Sequence, residues 1–120
     1  MGAKRSRIEP EVFAAEDPYR NIVRLERSTW ERHIIQKHQE MAGSEESVKK
    51  VVQAPDIIRE STLDRDCVAF ENATLRVLAL YETTGFAKGL SFGKVTTAYP
   101  KGSSGKANVG TVIYRKGDKL

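Results

Sequence analysis

The feature that most constrains this chain is a change of hydropathy period at Cys67. Upstream, apolar side chains recur at helical spacing. Val48, Val51 and Val52 form an i, i+3, i+4 stripe, and Trp30, Ile34 and Met41 gather on one side of an earlier helix. Downstream the pattern alternates, with Leu75, Val77, Ala79 and Tyr81 set against Arg76, Leu78, Leu80 and Glu82. Apolar residues occur in both sets, so residues 75–82 read as a central strand. Further short strands are expected over 67–70, 90–99 and 111–115, and a possible one over 20–26. Helices followed by consecutive strands imply an α+β fold, in which two N-terminal helices pack on one face of a small antiparallel sheet of about four strands.

Local signals set the boundaries. Ser28 with Glu31 three residues later has the spacing of a capping box, and Gly43 is a plausible stop. Ser44 can cap a second helix over 45–54, Glu45 and Glu46 suit its positive end, and Pro55 ends it. Residues 56–66 read as irregular, anchored by Ile57 and Ile58. Turns are expected over 71–74 and 85–89, and a Gly/Ser-rich loop over 100–108. Residues 1–18 contain Pro10 and Pro18 and show no period. They read as a flexible arm preceding one domain over 19–120.

A chain of 120 residues has room for one modest core. No apolar run approaches the ~20 residues of a membrane span. The basic N-terminus lacks the apolar segment of a secretory signal. The single Cys67 excludes an internal disulfide and is compatible with a reducing cytoplasm. On a strand in apolar surroundings its thiol is a poor nucleophile. One Cys and two His do not compose the usual four-ligand zinc site.

The net charge of +4 is unevenly placed. Residues 1–60 carry 11 basic and 11 acidic side chains, whereas residues 82–120 carry seven basic and two acidic, a surplus of five. A basic C-terminal half suits contact with a polyanion, of which nucleic acid is the commonest. The competing reading is plain solubility.

Both histidines lie within six residues, beside the only Trp. Histidine is the side chain that titrates nearest neutral pH and is the default proton shuttle. On a regular helix at about 100° per residue, His33 and His38 stand about 140° apart and flank the Trp30–Ile34 stripe. That separation argues against joint metal ligation, which needs one face. Each histidine also has a plainer reading. His38 in a last helical turn can bond a carbonyl and complement the helix dipole, and His33 can be a solvated surface group. On the strand side, the Thr96 and Thr97 hydroxyls can donate to phosphate oxygens, with Lys94 and Lys101 adding charge. Arg59 and Arg65 are candidates for bidentate phosphate contact. Tyr81, Tyr99 and Tyr114 could stack on bases. A Thr-rich strand, packed aromatics and surface arginines are the ordinary alternatives. Phosphate-binding Gly-rich loops, nucleophile elbows, CxxC, HExxH and clustered carboxylates do not occur.

Three segments in order carry a family likeness: Trp30-x-x-His33-Ile34-x-x-x-His38-x-Glu40-Met41, Pro55-Asp56-Ile57-Ile58-x-x-Ser61, and Val95-Thr96-Thr97-Ala98-Tyr99-Pro100. Over roughly residues 20–115 the chain resembles the phage- and toxin-associated barnase–EndoU–colicin–RelE-like nuclease families. Gln39 stands where that pattern usually carries Pro. The resemblance implies metal-independent cleavage of RNA by 2′-hydroxyl transesterification, with no cofactor. His33, His38 and Thr97 match its catalytic positions, and Arg59 falls, with a looser match, in a segment that often supplies a basic residue. With Lys94, Thr96, Tyr99 and Lys101 as further RNA-contacting candidates, the expected partners are RNA and an acidic antitoxin or immunity protein, and no membrane. The alternative is a non-catalytic RNA- or protein-binding module on the same scaffold.

Overall fold

The computed structural model describes residues 10–62, 66–82, 86, 89, 91–102 and 109–119. Among these, seven strands form one sheet: β1 (Glu11–Glu16), β2 (Ile22–Glu26), β3 (Ile57–Ser61), β4 (Cys67–Glu71), β5 (Leu75–Tyr81), β6 (Phe92–Pro100) and β7 (Val109–Arg115). Their order is β1-β2-β6-β5-β4-β3-β7. Neighbours are antiparallel except β2 and β6, which run parallel, so the sheet is mixed. This corrects the expected two helices on a four-strand antiparallel sheet: strand dominates and the helical segments are short.

Two unexpected strands have physical explanations. In β1, Phe13 and Ala15 turn inward while Ala14 and Glu16 stay exposed, too few apolar residues to announce a period. The flexible arm expected over 1–18 therefore gives way to an edge strand at 11–16, and residues 1–9 lie outside the described residues. In β3, expected as irregular, only Ile58 is fully inside, and Arg59 is absorbed by a partner on β4. β5 is central, as its two-sided apolar content implied. The turn expected over 85–89 and the loop over 100–108 fall largely outside the described residues.

The first helical stretch is irregular. It begins at Arg27, so Ser28 lies inside it rather than capping it. Arg27–Thr29 and Ile35–Lys37 are α-helical, but Trp30–Ile34 between them is a π-turn, in which Ile35 N–H reaches the Trp30 carbonyl. Trp30 and Ile34, one turn apart, both point inward, at 3% and 0% exposure. His38 then leaves the helix at φ −136°, and a 3₁₀ turn, Gln39–Met41, follows. Gly43 takes φ +82°, a conformation glycine adopts without steric cost, and closes the stretch. The second helix, Glu45–Gln53, buries Val48, Val51 and Val52 as their spacing requires. No helix among the described residues is long and apolar enough to cross a membrane.

The Glu45–Gln53 helix packs against both β1 and β5, which are separated by two strands, so the sheet curls around it. Tyr19 in the β1–β2 turn reaches Tyr114 of β7, with ring centroids 6.0 Å apart, bringing the two ends of the sheet together. A buried polar knot secures that turn. Asp17 accepts hydrogen bonds from the backbone N–H of Tyr19 and Asn21, from the Asn21 side chain and from the Tyr81 hydroxyl. Asn21 in turn donates to the Phe86 carbonyl and accepts from Ser91 N–H.

Register divides the sheet into two faces. Val68, Phe70, Val77, Ala79 and Ala98 face the helix and the core. Ala69, Glu71, Arg76, Leu78, Leu80, Thr97 and Tyr99 share the other face. Thr96 is the extra residue of a bulge in β6, opposite Leu78 and Ala79.

Candidate functional site

On the outward face, a tight turn aligns opposite charges. Asn72 Oδ1 accepts from the N–H groups of Thr74 (2.9 Å) and Leu75 (2.7 Å), which folds the chain back directly after β4. Arg76 is therefore opposite Glu71, and Tyr99 is opposite Arg76 on the next strand. Ile57 also opposes Glu71, which puts Arg59 one pleat along on the same face. Lys101 follows β6, its N–H held by the Thr74 carbonyl at 2.8 Å.

These positions converge on Glu71, whose side chain is 1% exposed. Arg76 Nε donates to its Oε2 at 2.7 Å, Arg59 Nε lies 3.3 Å from the same oxygen, and Lys101 Nζ lies 3.5 Å from Oε1. An isolated carboxylate at that depth would cost several kcal/mol. Three cations offset that cost and leave a surplus of two positive charges. Burial pushes the Glu71 carboxyl up, but the Arg76 hydrogen bond and the charges of Arg76, Arg59 and Lys101 outweigh it and hold the group below the usual carboxylate range. Burial disfavours the Arg76 cation, yet its hydrogen bonds to Glu71 and Tyr99 keep it more firmly protonated than usual. Arg59 Nη1 donates to the Gly110 carbonyl and Lys101 Nζ to the Asn72 carbonyl, so both cations are positioned as well as paired. Glu71 Oε1 and Arg59 Nε are buried without a hydrogen-bond partner among the described protein groups.

The Tyr99 ring forms the edge of this cluster. The Arg76 guanidinium carbon lies 5.7 Å from its centroid, and the His38 ring packs against it at 5.4 Å, tilted by 36°. His38 gets there because it departs from the helix. Its backbone N–H still donates to Ile34 carbonyl at 2.8 Å, but its φ of −136° turns the chain out of the helical path. The helical wheel thus does not place His38.

The other candidates spread along the same face or away from it. Thr97 is half-buried, one pleat from Tyr99 and opposite Leu78. Thr96 is exposed at the bulge, its Oγ1 3.4 Å from the Leu78 carbonyl. Lys94 is exposed further along β6, opposite Leu80. His33 is exposed on the π-turn, and its side chain makes no hydrogen bond, ion pair or ring contact with any of the described residues. Arg65 lies outside the described residues. The cluster thus unites His38, Arg59, Tyr99 and Lys101 with two residues that sequence reasoning passed over, Glu71 and Arg76. A signal for them existed: Glu71 and Arg76 bracket Asn72, and hairpin pairing around that turn makes them cross-strand partners. No protein-family model, curated protein or solved structure matches this chain.

Proposed function

We propose that this chain is a ribonuclease-like domain that cleaves RNA by 2′-hydroxyl attack on the adjacent phosphodiester, without a metal. The observation that carries the reading is the cationic surplus around Glu71 with His38 at its edge. Transesterification places extra negative charge on the phosphorane oxygens. Arg59, Arg76 and Lys101 are fixed donors for that charge. Glu71 acts as a positioning residue, holding the guanidinium groups of Arg59 and Arg76 side by side on the outward face. His38 moves the proton: it takes one from the 2′-hydroxyl as the new P–O bond forms, and returns one to the 5′-oxygen as the old bond breaks. The products are a 2′,3′-cyclic phosphate and a 5′-hydroxyl. His33 has no part in this step. A protein inhibitor of such a domain would present acidic side chains to the same face.

The test is incubation of the purified protein with total RNA in excess EDTA. Cyclic-phosphate-ended fragments are expected, with a loss of about 10²–10⁴-fold in rate for His38→Ala and little change for His33→Ala. Intact RNA at micromolar protein would refute the reading, as would His38→Ala cleaving at the wild-type rate. A second reading has one observation in its favour: Glu71 already engages all three cations, as a purely structural ion-pair cluster would. That version binds RNA with a steep salt dependence and releases no product.

A further inference from the structure

The cluster lies toward one end of a longer surface. β5 carries Arg76, Leu78 and Leu80 on the outward face, and β6 carries Tyr99, Thr97 and Lys94 opposite them. About 13 Å along β5 from Arg76, at ~3.3 Å per residue, Leu80 lines a groove of ≈ 560 Å³. Arg24, Phe92, Lys94, Glu26 and Glu82 also line it. Among the described residues, Phe92 is the large apolar side chain left mostly exposed, at 53%. A single exposed apolar residue is ordinary on a protein surface, but Phe92 lines the same groove as Leu80, so the groove pairs an open aromatic ring with a second apolar side chain. Lys94 makes no ion pair with any described residue, whereas Arg24 is held by Glu11 at 3.1 Å.

We infer that this groove is a base-stacking subsite for single-stranded RNA, seating one unpaired base on Phe92 a few nucleotides from the phosphate held at the Glu71 cluster. The inference rests on the proposed RNA-cleaving function and extends it to the substrate: an extended single strand, not a duplex. The path is continuous, because Lys94, Thr97, Tyr99 and Lys101 follow one another along the outward side of β6 and its end. The groove's own chemistry favours a base over a backbone phosphate. Glu26 and Glu82 can only accept hydrogen bonds and repel a phosphate, but they match the N–H donors on a base edge. Phe92 offers a stacking face and Leu80 an apolar contact. Lys94 neutralises the phosphate that links the seated base to the rest of the strand. A duplex keeps its bases stacked inside and could not use Phe92.

The test uses binding as well as cleavage. Fluorescence anisotropy measures the Kd of a 2′-O-methyl hexanucleotide, which cannot undergo 2′-hydroxyl attack, and of the matching dinucleotide. The stacking subsite predicts that Phe92→Ala weakens the hexamer by roughly 5- to 150-fold, the equivalent of ~1–3 kcal/mol for one stacked base, and leaves the dinucleotide unchanged. Phe92→Trp restores hexamer binding. A hexamer carrying one abasic site, walked along the strand, loses affinity for the wild type at one position and for Phe92→Ala at none. Equal hexamer affinities for the wild type and Phe92→Ala overturn the subsite, even where RNA is cleaved. Phe92-dependent binding with no cleavage of natural RNA upholds the subsite and overturns the catalytic step instead. Preference for a duplex over the single strand also overturns the inference. Phe92 is exposed, so Phe92→Ala is expected to fold, and an unchanged thermal midpoint verifies it.

Discussion

Replacing Glu71 with Gln removes the charge at the centre of the cluster while nearly keeping the shape, and turns one of the two acceptor oxygens into an N–H donor that faces the cations. Removing one partner from a buried ion pair typically costs ~3–5 kcal/mol, since the remaining charge is stranded. Here the stranded groups differ. Arg76 is 14% exposed and loses its 2.7 Å partner, whereas Arg59 and Lys101 each retain 33% exposure and can turn toward water. The low end of the range, about 3 kcal/mol at pH 7, is therefore expected. For a chain of this size that corresponds to a fall of roughly 10 °C in Tm. The penalty must also depend on pH. The folded Glu71 carboxyl sits below its ordinary range, so its contribution to stability is fully present above the unfolded value near pH ~4.3 and is lost as pH falls through the folded value. Thermal and urea melts of both proteins across that acidic window should show the gap closing. A Tm difference within about 2 °C at pH 7, or a gap of constant size down to acid pH, would refute this account of the cluster.

Other perturbations probe the scaffold that positions the site. A Cβ on Gly93 would stand 2.8–3.0 Å from three Tyr81 ring atoms. That ring is pinned by its 2.7 Å bond to Asp17, so Gly93→Ala should cost ~1–3 kcal/mol in urea unfolding, and an unchanged midpoint would count against it. Asp17→Ala strands the Tyr81 hydroxyl and the Asn21 backbone N–H at once, and a loss of about 3 kcal/mol or more is expected from calorimetry. Burial, then the charge and hydrogen bond of Asp17, push the Tyr81 phenol far above its ordinary value. Its stabilising share is present below pH ~10 and is lost as pH rises beyond that. An ultraviolet titration should therefore show Tyr81 ionising only with alkaline unfolding, and Tyr81→Phe should leave the earlier part of the curve unaltered. Gly89 takes φ +76°, and a Cβ there would collide with the Tyr19 carbonyl, so Gly89→Ala should lower Tm by several degrees.

Hydropathy and turn chemistry reached part of this fold. The Val48–Val51–Val52 stripe, Pro55 and the two-sided apolar run at 75–82 located the second helix and the central strand, because burial on one face or on both writes a period into the sequence. β1 and β3 wrote none. An edge strand with two inward residues, and a strand whose Arg59 is neutralised by a neighbour, carry no alternation to read. The parallel pairing of β2 with β6 likewise joins segments far apart in the chain, Ile22 opposite Phe92, and no local signal announces it. At the site, residue types were readable and their grouping was not. His38, Arg59, Tyr99 and Lys101 stood out as polar or aromatic groups fit for phosphate, and the basic C-terminal half pointed to a polyanion. Tertiary structure decided that His38 and not His33 joins them, because a π-turn and an early exit from the helix override the regular wheel. It also decided that Glu71, unremarkable in a turn, becomes the buried carboxylate on which three cations converge. A period reports the environment of one segment. Convergence of charges from β3, β4, β5 and the end of β6 is a relation among segments, and only the folded sheet contains it.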